Sequence, residues 1–193
     1  VSDPLKKEKK IYTFADYMTW PDNELWEIID GIPYNMAPPS TGHQLISGEL
    51  YRQIANYLVG KTCMVFAAPF GVRFPEEDEP DEFIKDALMP DITVVCDRKK
   101  LDEKGCRGSP DFIVEILSPS TAKKDMKSKR QLYQKSGVKE YWIVDPVHKT
   151  VQVYTLNEQG KYGFPEIYGE DDKIKIGIFN DEMEIELSLV FPG

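Results

Sequence analysis

Asp91 and Glu115 are the side chains in this sequence with the plainest means of doing chemistry. Each belongs to a short apolar run, PDITVVC at residues 90–96 and DFIVEILS at residues 111–118. Side chains alternate faces along a strand. Phe112, Val114 and Ile116 therefore give one wholly apolar face, while Asp111, Ile113, Glu115 and Leu117 take the other. In the first run Ile92, Val94 and Cys96 share a face, and Asp91, Thr93 and Val95 share its opposite. A glutamate in the middle of so apolar a strand is costly unless its charge is compensated. A divalent cation held jointly with Asp91 would compensate it, since hard cations such as Mg²⁺ favour carboxylate oxygens. A solvated strand surface or a salt bridge would serve too, and the strand pattern leaves all three open.

A basic group follows on the next element. Residues from about Ser120 to Ser136 have helical spacing, and Gly137 closes the run. At about 100° per residue, Ala122, Met126, Leu132 and Tyr133 define an apolar arc. Asp125 and Lys129 fall inside that arc; Lys123, Lys124, Lys127, Arg130 and Lys135 fall outside it. An inward ammonium near the acids could position an attacking water or stabilise charge developing on a phosphate. The plainer alternative is an Asp125–Lys129 ion pair one turn apart. The outward lysines read as a solvated face that could also meet phosphates.

These residues need elements to carry them. Thr13 is expected to start a short helix that ends before Pro21, and LWEIIDGIPYNM to form a hairpin about an Asp30-Gly31 type I′ turn. Thr41 and Gln44 match a capping box for a long helix with apolar residues at Ile46, Leu50, Ile54 and Leu58, closed by Gly60. Strands are predicted at Met64 to Phe74, Pro90 to Cys96 and Asp111 to Leu117, with PEEDEPDEFIKDAL as a solvated acidic loop. EYWIVDP and KTVQVYTL form a hairpin, and Ile174 to Phe191 holds further short strands turning at Asn180-Asp181. No repeat or low-complexity linker interrupts this order, so residues 1–193 read as a single α/β (α+β mixed) domain.

Composition limits the possibilities. The 193 residues, 41% hydrophobic and 11% aromatic, suit one soluble globular domain. No apolar run approaches the ~20 residues of a membrane span, and the charged start VSDPLKKEKK lacks an export signal. The expected location is cytoplasmic. Three cysteines cannot all pair: Cys63 and Cys96 read as small core residues and Cys106 as an exposed loop residue. The net charge of −9 argues against broad nucleic-acid binding, although carboxylates gathered for metal ions also make a chain acidic. With two histidines and no G-x-S-x-G, a serine-hydrolase triad has little support, and no P-loop or dinucleotide-binding glycine pattern is present. His43 opens the long helix, where the dipole disfavours a protonated imidazole. It is either a neutral group near substrate or a plain helix-start residue. His148 is assigned nothing.

In order along the chain, WEIIDG, PPSTGH, PDITVVCD, PDFIVEILSPST, the D-x-x-x-K-x-x-x-Y run at Asp125, Lys129 and Tyr133, and GVKEYWIVDP resemble a known pattern. It is that of the bacterial restriction-endonuclease-like family within the PD-(D/E)XK nuclease superfamily, and the likeness runs from about Tyr12 to the C-terminus. The resemblance implies a restriction-endonuclease-like central mixed sheet flanked by helices, with an N-terminal hairpin, and Mg²⁺- or Mn²⁺-dependent phosphodiester cleavage. Asp91 matches the acid of the PD element and Glu115 that of the (D/E)XK element; both are the implied metal ligands. The position two residues after Glu115 is Leu117 instead of lysine, and Lys129 is the natural migrated substitute. Glu27, His43, Asp111 and Asp125 are possible helpers, Glu27 being either a further acidic ligand or an ordinary ion-pair partner. The expected partner is nucleic acid, DNA before RNA, cut by a homodimer. The alternatives are a catalytically inactive nuclease-fold protein that binds or regulates as a homo-oligomer and, ranked below it, a metal-free glycosidase built on paired carboxylates.

Overall fold

A computed structural model describes residues 11–21, 23–118 and 124–191, with only the backbone of residues 124 and 125. Its centre is a mixed six-stranded sheet. The strands are β3 (Met64–Ala67), β6 (Ile92–Val95), β9 (Phe112–Ile116), β10 (Glu140–Asp145), β11 (Thr150–Thr155) and β12 (Glu166–Gly169). They lie in the order β12-β11-β10-β9-β6-β3, and β9 and β10 run parallel while their neighbours are antiparallel. β10 is buried from residue 140 to residue 144, being aromatic or β-branched on both faces. Trp142 and Val144 point to one core and Tyr141 and Ile143 to the other.

Those two cores define the layers. On one face α2 (Thr41–Leu58) packs Ile46, Leu50, Ile54 and Leu58, one residue per helical turn, against Ile92, Val94, Phe112, Val114 and Trp142. The C-terminal hairpin, β13 (Lys173–Lys175) with β14 (Glu184–Glu186), closes the same core. The other face meets α3 (Arg130–Ser136) and a second six-stranded sheet that the strand pattern had not shown as separate. That sheet has the order β2-β1-β5-β4-β8-β7, with β1 (Trp26–Ile29), β2 (Ile32–Asn35), β4 (Val72–Arg73), β5 (Ala87–Leu88), β7 (Leu101–Asp102) and β8 (Gly105–Arg107). The mixed central sheet and the N-terminal hairpin are both as expected. Asp30 and Gly31 take φ values of 51° and 72°, as a two-residue hairpin turn requires.

Several local expectations are corrected. Thr13 does cap a short helix, α1 (Phe14–Tyr17), but α2 is capped by Ser40, whose hydroxyl accepts from His43 N–H; Thr41 is the first helical residue. Met64 to Phe74 is two strands in two different sheets, parted at the cis Ala68–Pro69 peptide. The acidic loop is not wholly solvated: Ile84 is buried, β5 forms within it, and Asp81 reaches the buried Arg73 guanidinium at 2.6 Å. Cys63 and Cys96 are not separate core residues but a disulfide. Cys106 is buried instead of exposed, and burial pushes its thiol up to about 12. The helix predicted from Ser120 begins among residues outside the description. Its described part is a π-helical segment, Lys124–Lys129, running into α3 and stopped by Gly137 at φ 85°. A π turn holds more residues than the 100° wheel allows, which explains why Met126, placed in the apolar arc, is 45% exposed.

Candidate active site

Glu115 lies in β9 with its carboxylate on the face turned to the second sheet and α3. There it meets two donors on one oxygen. Lys129 Nζ donates to Oε1 at 2.8 Å and Tyr133 Oη donates to the same atom at 2.6 Å. Lys129 and Tyr133 are four residues apart across the junction of the π segment and α3, so both project toward one point. Burial first, and then the Glu115 charge, push the Tyr133 phenol well above its ordinary pKa. It remains a protonated donor, and a short O–H···O⁻ bond is among the stronger kinds.

Lys129 also lies 2.8 Å from Glu27 Oε1. Glu27 comes from β1 and accepts the backbone N–H of Met89 at 3.3 Å. The side chains of Lys129, Glu27 and Glu115 are only 4%, 1% and 5% exposed. Burying charges in this way demands mutual compensation. The inward lysine read from the sequence is therefore present, and its partners among the described residues include two glutamates on two different sheets. The side chain of Asp125, the partner of the plainer alternative, lies outside the described residues.

Asp91 sits just before β6. Ile92 pairs with Val114, so one further step of the register sets Asp91 opposite Glu115. Its Oδ2 accepts the backbone N–H of Ile116 at 2.7 Å and lies 3.2 Å from His43 Nε2. His43 is thus a partner of Asp91 and not merely a helix-start residue. Asp111 goes elsewhere. At the far end of β9 it accepts from Cys96 N–H at 2.8 Å and pairs with Lys139 at 2.7 Å. His148 pairs with Asp145 on the surface. Tyr133 had no role assigned from the sequence, although its position four residues after Lys129 signalled a shared direction.

Among the described residues, no three of His, Cys, Asp and Glu converge as a ready-made metal cluster. The donor chemistry nonetheless fits a hard cation: Asp91 and Glu115 offer carboxylate oxygens at opposed register positions. The Glu27 and Glu115 carboxylates are nearly buried, and both reach the Lys129 ammonium. Mg²⁺ is commonly held by one or two carboxylates, with water and substrate phosphates completing its shell.

Comparisons with known proteins bear on the family and the fold. The Uma2 family, described as "Putative restriction endonuclease", matches residues 14–189. An uncharacterized protein, slr1290, of Synechocystis sp. is 26% identical over 150 residues, covering 76% of this chain and 75% of its own. A crystal structure from Anabaena variabilis, described as a putative nuclease belonging to DUF820, superposes with a TM-score of 0.74 at 21% identity. It covers 93% of this chain and 97% of its own, which shows a shared fold.

Proposed function

The chain belongs to the Uma2 family of putative restriction endonucleases, and from that premise we propose that it is a Mg²⁺- or Mn²⁺-dependent nuclease acting on DNA. The observation that carries the reading is the meeting of Glu115, Lys129 and Tyr133 beside Asp91. Asp91 and Glu115 would hold the cation. When bound, it would supply positive charge to the scissile phosphate and raise the acidity of the attacking water.

The protein's own residues do the rest. Lys129 and Tyr133 fix the orientation of the Glu115 carboxylate through a shared oxygen. Lys129 also places positive charge beside the acids, where it offsets charge developing on a phosphate. The Ile116 N–H and His43 hold Asp91 against the end of β9. The cationic side chains of Lys127 and Arg130, next to Lys129 in the chain, are suited to meeting the nucleic-acid backbone.

The direct test is cleavage of duplex and single-stranded DNA and RNA with Mg²⁺ or Mn²⁺, with and without chelator. Asp91→Ala and Glu115→Ala should each abolish cutting, and Lys129→Ala should lower it by roughly a hundredfold or more, as loss of one charge-stabilising donor does. Cutting that survives both acid variants and chelator would refute the proposal. Folded protein that neither cuts nor binds Mn²⁺ would favour the non-catalytic homo-oligomer, which the net charge of −9 supports. A homodimer suits cutting both strands of a duplex, and sedimentation equilibrium reads its mass. A cytoplasmic location belongs to this reading; the Cys63–Cys96 disulfide weighs against it, because cytosolic thiols are kept reduced. Among the described residues no helix is long and apolar enough to cross a membrane.

A further inference from the structure

The Lys129 ammonium bridges Glu115 and Glu27 at equal distances of 2.8 Å. If Glu115 were its sole partner, the two would form a closed buried pair. A divalent cation approaching Glu115 would then strip a nearly buried ammonium of its counter-charge, which is strongly unfavourable. Glu27 removes that obstacle. It stands on β1 in the other sheet, anchored on the Met89 N–H, so it keeps its place whatever Glu115 engages.

Resting on the nuclease reading above, we propose that Glu27 is a positioning residue that acts through Lys129 and not a cation ligand. It keeps the ammonium paired while Glu115 binds a divalent cation. Tyr133, the second donor on Glu115 Oε1, retains its hydrogen bond to that carboxylate when the ammonium shifts toward Glu27. The cation affinity of one sheet is in this way set by a carboxylate of the other.

The test is Mn²⁺ titration by calorimetry on the full chain without nucleic acid. The variants are Glu27→Gln, Lys129→Met and Glu27→Gln/Lys129→Met, each checked for folding by near-ultraviolet circular dichroism. Glu27→Gln should weaken Mn²⁺ binding by roughly tenfold, the scale of residues that support ligands without touching the metal. Adding Lys129→Met should restore most of that loss, because the Lys129 ammonium then no longer competes for Glu115. Unchanged affinity in Glu27→Gln would overturn the inference, and so would a double variant as weak as the single one. If Glu27→Gln does not fold, the double variant is compared with Lys129→Met alone. Equal affinities support the inference, and a tenfold gap marks Glu27 as a direct ligand and overturns it. Wild-type protein that binds no Mn²⁺ would overturn the nuclease reading together with it.

Discussion

Thr93 is fully buried on β6, two residues beyond Asp91, and its hydroxyl makes no hydrogen bond among the described residues. A buried hydroxyl without a partner carries its desolvation cost with no return. Thr93→Val should therefore raise unfolding stability by about 1 kcal/mol, read by urea titration; a loss of stability would show that the hydroxyl has a partner in solution. At this scale much of the site was legible in the sequence. Glu115 stood out because a charge in an apolar strand needs a reason, and Lys129 because it faced inward on an otherwise outward-facing set of lysines. What Lys129 pairs with was not legible, since Glu27 lies 102 positions earlier and no local spacing links them. His43 and Asp91, 48 positions apart, are hidden for the same reason. Tyr133 was read as an apolar ring, which conceals the hydroxyl at its tip.

β10 shows how a strand fixes its neighbours. Glu140 at its start is buried, accepting from Trp142 Nε1 at 2.7 Å and from the Ile178 N–H at 3.0 Å, and so ties the 177–179 turn to the sheet. Burial raises its pKa above the ordinary 4.5, outweighing the hydrogen bonds that lower it. A carboxyl whose folded pKa is raised contributes stability that is fully present below the unfolded value and lost as pH rises through the folded one. The stability difference between wild type and Glu140→Gln should thus shrink as pH climbs from 4.5 through that raised value. Urea unfolding across this range checks it, and a difference that grows with pH would contradict it. Periodicity located most elements, including α2, β9, β10 and the hairpins. It failed where chemistry at a boundary decides: Ser40 caps α2 in place of Thr41, and the π segment breaks the 100° step before α3.

Across the molecule, two sheets meet at the Glu27–Lys129–Glu115 bridge, and the second sheet escaped the strand pattern for a physical reason. Four of its six strands are only two or three residues long, too short to show a period, and their order is set by long-range pairing. The Cys63–Cys96 link was equally invisible, because cysteines 33 positions apart announce nothing until β3 and β6 lie side by side. That link has a consequence for limited proteolysis. Glu76 and Glu77 lie exposed inside the covalent ring that it closes. A chain clipped after Glu77 by a glutamate-specific protease would travel as one band on a non-reducing gel and as two after thiol treatment. Two bands without reductant would show that the tether is absent. In the clipped chain with the tether intact, Glu27 and His43 sit on one polypeptide and Asp91, Glu115 and Lys129 on another, stitched together by two sulfur atoms.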